Sequence, residues 1–305
     1  MELPSWKLPL TGRKEIKQFR TMSSFRLDRF LTLYFFHSLK KISANKDRIP
    51  ILMYHSISNE DDRRIHPYYK TNTKPEVFAD HMAFLHKNYY QVISISDAVK
   101  YLVADGTHKK KYAVITFDDG YHDFYESAFP VLKKFNFPAT VFLPTRFIDE
   151  RRLKFNGREC LNWDEIRKLS SQDIIFGSHT VSHPKLIFLK EEGLEHELSQ
   201  SKTNIEDNIG KSIESFSYPY AFPERNRKFV KSLRNILIKC GYATGVSTSI
   251  GTETKKADQL FLKRIPLNSD DDDHFLKAKL EGAYDWLHRP QLLIKSLKTK
   301  MPNRD

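Results

Sequence analysis

Two short stretches hold side chains that can work together chemically. Ser178-His179-Thr180-Val181-Ser182-His183-Pro184 sets two imidazoles four positions apart, and Thr116-Phe117-Asp118-Asp119-Gly120 ends an apolar run on adjacent carboxylates. A His-x-x-x-His spacing lets two ring nitrogens reach one divalent cation. A carboxylate as third ligand leaves positions open for water or substrate. Pro184 disfavours helix at His183, so a short turn is expected there. Of the two acids, one can bind the metal while the other moves protons, because a cation touching only one of them separates their environments. Each stretch alone has an ordinary explanation. Asp-Gly is a frequent turn dipeptide, and a chain with 12 histidines meets such spacings by chance. Together they favour a site.

The surrounding pattern must bring them together. Apolar, β-branched runs recur at residues 49–55, 90–95, 112–117, 139–143, 173–179, 215–219, 243–248 and 261–267, with helical periodicity between most of them. Thr73-Lys74-Pro75-Glu76 reads as a capping box opening a helix through Phe78, Met82 and Leu85. Asn162-Trp163-Asp164-Glu165 reads as a second helix start, and residues 225–240 as a basic amphipathic helix stopped at Gly241. Repeated β-then-α units imply parallel strands. Their number predicts an α/β fold, a distorted (β/α) barrel of seven or eight mostly parallel strands, with an open doubly wound sheet as runner-up. No nucleotide-binding glycine fingerprint supports the runner-up. In a barrel, function sits where strands end. Four strand ends are unusual: Tyr54-His55, Asp118-Asp119, Ser178 to Pro184, and Tyr218-Pro219-Tyr220.

On the Thr116–Gly120 and Ser178–Pro184 stretches, with Phe216-Ser217-Tyr218-Pro219-Tyr220, the chain resembles the polysaccharide deacetylase (NodB-homology) family over roughly residues 48–270. Leu52-Met53-Tyr54-His55 resembles the poly-N-acetylglucosamine branch. The resemblance implies a metal-dependent carbohydrate esterase on a distorted β/α barrel. It implies Asp118 as general base, Asp119, His179 and His183 as metal ligands, and the Tyr220 backbone N–H as oxyanion donor. The metal would be zinc, or else cobalt, nickel, manganese or iron. Two departures stand out. Ser217 occupies a position where many members carry Arg, and Arg264 is the candidate to orient Asp118 instead. The late Leu-x-His that supplies the family's general acid has no match, since Leu287-His288 lacks the spacing. His55 is the substitute candidate.

The charge of +12 is concentrated at the ends: eleven Lys/Arg against four Asp/Glu in residues 1–50, and five against one in 286–305. Such ends suit anionic membranes or acidic partners, whereas a nearly neutral body argues against nucleic acid. The expected organisation is a basic amphipathic extension over 1–45, a deacetylase domain over 46–285 and a basic tail over 286–305. With no secretory signal evident, the expected location is cytoplasmic, with peripheral membrane contact through the termini. The expected substrate is an N-acetylated glycan or a lipid-linked saccharide. A metal-dependent amidase on a non-sugar amide and a glycan-binding pseudoenzyme are the competing functions. Cys160 and Cys240 read as incidental thiols. The acidic run Asp270–Asp273 reads as solvated loop, Trp163 and Trp286 as core or interface aromatics, and Tyr121 and His122 as lining the site entrance.

Overall fold

The computed structural model describes residues 26–40, 48–60, 65–104 and 110–298. Seven parallel strands close into a ring: β1 (Ile51–Tyr54), β2 (Lys111–Phe117), β3 (Ala139–Leu143), β4 (Ile174–Ser178), β5 (Ser215–Ser217), β6 (Thr244–Ile250) and β7 (Leu262–Pro266). Closure comes from β1, which pairs with β2 on one side (Tyr54 opposite Phe117) and with β7 on the other (Leu52 opposite Ile265). An eighth strand, Tyr90–Val92, pairs with β2 outside the ring. The outer layer holds α1 (Pro75–Lys87), α2 (Ile95–Val103), α3 (Phe129–Phe135), α4 (Trp163–Ser170), α5 (Glu191–Ile209), α6 (Arg227–Lys239), α7 (Asp273–Leu280) and α8 (His288–Lys298).

Strands buried on both faces read as continuous apolar runs, and β3 is buried at every position. The two-residue alternation of side chains decides what enters the barrel. Ala113, Ile115 and Phe117 of β2 join the core beneath the helices, with Leu52, Val141 and Phe216. Val114 joins a second cluster with Ile51, Phe142, Val246 and Leu262, floored by Ile95, Ala98 and Leu102 of α2. Thr116 and Asp118 follow Val114 on the inward face, and Arg264 follows Leu262. The arithmetic of a pleated strand thus delivers one acid and one base to the same interior.

Several local expectations change. The Thr73 capping box does not form. Thr73 pairs with Ile57 in a short parallel ladder and its hydroxyl turns to the Leu267 carbonyl, so α1 starts at Pro75 with Lys74 as an N-cap lacking a side-chain bond. The Asn162–Glu165 box does form, with both reciprocal bonds present, and α6 ends before Gly241, which takes φ +76°. The acidic run is not simply solvated. Asp271 is fully buried against Lys279 Nζ at 2.8 Å, and Asp272 caps α7 through the Phe275 N–H. Trp163 is buried in the core, and Trp286 stacks on Phe36 at 5.0 Å, holding a helical N-terminal segment (27–40) to the body. Among the described residues no helix is long and apolar enough to cross a membrane.

Candidate active site

Each strand end contributes one piece. At the end of β2, the Asp118 N–H donates to the Tyr54 carbonyl at 3.0 Å, which continues the ladder one residue past the strand. Asp119 then takes φ +71° and Gly120 φ +57°. A non-glycine residue in the left-handed region costs of order 1–3 kcal/mol and persists only where its surroundings enforce it. The reversal swings the Asp119 carboxylate away from Asp118 and toward the loop after β4. There Thr180 and His183 are also left-handed, at φ +71° and +55°, and the His183 N–H donates to Thr180 Oγ1 at 2.9 Å. The two histidines therefore meet through a tight irregular turn rather than a helix, as Pro184 leads one to expect.

Asp119, His179 and His183 offer one carboxylate oxygen and two ring nitrogens that all lie within 4.8 Å of one another. Both Nε2 atoms stand 3.5 Å from Asp119 Oδ1. His179 Nδ1 lies 2.8 Å from the Ser217 carbonyl, which can only accept, so Nδ1 carries a proton and Nε2 is the ring atom turned toward Asp119. Asp119 Oδ1 and His183 Nδ1 are buried with no hydrogen-bond partner among the described residues. A buried, unpaired carboxylate oxygen facing two imidazoles is costly unless a cation completes it. The donor set fits a divalent metal. Burial, followed by the charge of His179, pushes the His183 pKa down to about 4, leaving it neutral at physiological pH.

Asp118 is held quite differently. Arg264 has no exposed surface and grips it with two parallel bonds, Nη1 to Oδ1 at 2.8 Å and Nη2 to Oδ2 at 2.7 Å. Arg264 is fixed in turn by the Ser247 carbonyl, Thr116 Oγ1 and Ser217 Oγ. Ser217 also donates to Asp118 Oδ1 at 3.1 Å. Burial alone would raise the Asp118 pKa, but the Arg264 charge overrides it, with His179 adding, and the carboxyl stays well below its usual range. Two adjacent acids thus have separate surroundings, one clamped by an arginine and one left for a cation.

These groups open into a cleft of about 480 Å³, lined among others by His55, Tyr121, His179, Tyr218, Tyr220 and Thr248. His55 Nε2 is 3.9 Å from Asp118 Oδ2, and burial lowers its pKa. Tyr220 is left-handed at φ +58°, with its ring 4.6 Å from that of His183. The seven candidate catalytic and metal-binding residues converge here: His55, Asp118, Asp119, His179, His183 and Tyr220 line the cleft, and Arg264 lies buried behind Asp118. His122 does not line the cleft. It lies 3.1 Å from Glu126 and 3.3 Å from Glu165, because the turn at Gly120 sends Tyr121 inward and its neighbour outward. His288 pairs with Glu224 at 2.9 Å and is also absent from the lining. Ser217 as a partner of Asp118, and Glu60, Asn156 and Arg158 in the lining, escaped sequence reasoning because nothing in their local pattern marks them.

The comparisons with known proteins agree with this geometry. A family model described as polysaccharide deacetylase matches residues 105–244, a span that includes Asp118, Asp119, His179, His183 and Tyr220 but neither His55 nor Arg264. A Bacillus subtilis (strain 168) protein bearing the polysaccharide deacetylase name, YxkH, is 31% identical over 218 residues, covering 72% of this chain and 71% of that protein. The poly-beta-1,6-N-acetyl-D-glucosamine N-deacetylase of Staphylococcus aureus (strain N315) is 25% identical over 186 residues, 58% of this chain and 61% of that one. In fold, the chain is similar to Streptococcus pyogenes deacetylase PplD in complex with acetate, with TM-score 0.66 and 23% identity over 76% of this chain and 98% of that chain. It is also similar to IcaB from Ammonifex degensii, with TM-score 0.65 and 20% identity over 77% and 98%. With its site assembled at the strand ends of a closed parallel barrel and a relative matched over most of both chains, this chain belongs to the polysaccharide deacetylase family.

Proposed function

We propose that the chain is a metal-dependent hydrolase that removes acetyl groups from an N-acetylated sugar, in a polysaccharide or a lipid-linked precursor. The observation that carries this reading is the split between the two acids: Asp118 clamped by Arg264, and Asp119 Oδ1 unpaired beside two histidines. Asp119, His179 and His183 would hold the metal, with zinc the first choice and cobalt, nickel, manganese or iron as alternatives. Once bound, it supplies Lewis-acid polarisation of the acetyl carbonyl and acidification of water.

The chain's own groups do the rest. A carboxylate has about four lone-pair sites. Arg264 takes one on each oxygen and Ser217 a further one on Oδ1, so Oδ2 keeps a site on the side of His55. Asp118 Oδ2 accepts the proton of the attacking water. The Tyr220 N–H, which donates to no group among the described residues, stabilises the oxyanion. His55, 3.9 Å from Asp118 Oδ2, relays that proton to the leaving nitrogen, giving free amine and acetate. Membrane contact is part of the same proposal, supported by the basic ends and by Leu27, Phe30, Tyr34 and Phe35, all of which are exposed on the N-terminal segment.

The test is metal content and acetate release from N-acetylglucosamine oligomers, for wild type and Asp118→Asn. Metal retained with turnover reduced about 100-fold or more supports the base assignment. Metal bound without turnover on any acetylated glycan would favour the pseudoenzyme, and turnover confined to small amides would favour the amidase.

A further inference from the structure

Outside the reacting groups, the charged residues lining the cleft are Glu60 and Arg158. They come from different parts of the chain. Glu60 follows the short strand Ser56–Ile57, and Arg158 sits on a hairpin (Lys154–Phe155 against Arg158–Glu159) whose tip, Asn156-Gly157, also lines the cleft. The two meet at the rim, with Arg158 Nε 2.7 Å and Nη2 2.6 Å from Glu60 Oε2. Both contacts fall on one carboxylate oxygen. Among the described residues nothing bonds Glu60 Oε1 or Arg158 Nη1, so the pair keeps one strong acceptor and one strong donor unspent. The Glu60 side chain is 56% exposed.

The rim is tied to the reacting end of the barrel. The Leu161 N–H donates to the Gly120 carbonyl and the His122 N–H to the Glu159 carbonyl, each at 2.8 Å, so the hairpin is laddered onto the chain just after Asp118-Asp119. Asp123, on the same stretch, accepts from Ser56 Oγ and from the Ile57 N–H. The Arg158 guanidinium lies 5.5 Å over the Tyr121 ring, which is itself buried. One turn therefore fixes the base, the metal carboxylate and both halves of the ion pair in a single register.

We infer that Glu60 and Arg158 form a subsite for a neighbouring sugar unit, so that the cleft selects an oligomeric glycan over a single acetylated sugar. Adjacent hydroxyls of a pyranose present a donor and an acceptor side by side, which is what Oε1 and Nη1 can accept and supply. The reading rests on the deacetylase proposal for what the reacting sugar is, but not on turnover for its test.

The test is calorimetric binding of an N-acetylglucosamine pentamer and of the monomer to full-length wild type, Glu60→Gln, Glu60→Ala and Arg158→Ala. The expected result is a wild-type preference for the pentamer that drops by about tenfold in each variant, an effect of ~1.4 kcal/mol, with monomer affinity unchanged. Glu60→Gln keeps the shape of the side chain, so a folding defect in another variant leaves the question decidable. Equal affinities of wild type for monomer and pentamer, or a pentamer preference that survives all three substitutions, would overturn the subsite. Acetate release, followed separately, decides the deacetylase reading: a pentamer preference with no release keeps the subsite and removes the reaction.

Discussion

Arg264 and Asp118 face each other through two parallel hydrogen bonds inside the barrel, with the guanidinium fully buried and Phe142 beneath it at 6.0 Å. Removing one partner of such a pair leaves an uncompensated buried charge, typically at a cost of ~3–5 kcal/mol. Arg264→Ala should therefore lower the urea midpoint sharply. Arg264→Lys should fold more stably than the alanine variant yet remain well below wild type in turnover, because an ammonium cannot reproduce the planar fork. A lysine variant with wild-type acetate release would show that the clamp is structural only.

The same clamp sets acid sensitivity. Burial would raise the Asp118 pKa, but Arg264 and His179 hold it well below the ordinary 3.8. A carboxyl with a depressed folded pKa contributes stability above its unfolded pKa and loses it as pH falls through the folded value. Wild type should thus lose stability more steeply than Asp118→Asn on acidification below about pH 4, as read by denaturant midpoints. Parallel curves for the two proteins would contradict the ion pair.

Metal should act on stability as well as on chemistry. A cation that binds only the folded state, supplied at about a hundred times its Kd, stabilises by ~2.7 kcal/mol. Adding zinc to chelator-treated protein should raise the melting temperature, and His183→Ala should largely abolish that rise. A rise of equal size in the variant would place the metal elsewhere.

Gly120 is open to a direct test of the turn. At φ +57° an added Cβ would sit 2.7 Å from Leu143 Cδ2. Gly120→Ala should destabilise by ~1–3 kcal/mol through backbone strain and this clash, and should reduce turnover by displacing Asp119. A neutral effect on thermal stability would show that the turn relaxes easily.

His81 should supply a pH response away from the candidate metal site. It is buried between the Tyr54 hydroxyl at 2.9 Å and the Asp271 carbonyl at 2.6 Å. Burial is the largest influence and lowers its pKa below 6.5, outweighing the bond to Asp271. Below that value the unfolded chain takes up a proton that the folded chain resists, so stability falls with pH, by at most ~1.4 kcal/mol per pH unit for one group. His81→Gln should lessen the decline in urea midpoint between about pH 7 and about pH 5. An unchanged slope would mean that His81 is not held neutral.

Residue types and their order determined the fold class and named the groups that gather at the strand ends. Seven runs that become barrel strands, and the groups at their ends, were legible because strand burial and strand-end chemistry are local properties of a pattern. Asp118, Asp119, His179 and His183 could be named on that basis, and Arg264 as a candidate. What the sequence left open was which pairs would touch. The Arg264 fork on Asp118 requires β7 and β2 to present the same face inward on either side of β1, a matter of ring closure and register. Ser217, the Glu60–Arg158 pair and the burial of Asp271 escaped for the same reason: their partners lie 99, 98 and 8 residues away, and only packing chooses among the many polar groups within reach. His122 and His288 show the converse, since proximity in sequence to an acid pair or to a leucine did not place either in the cleft. Composition and periodicity fix which side chains must be inside, whereas the donor that meets each acceptor there is decided by how the ring closes.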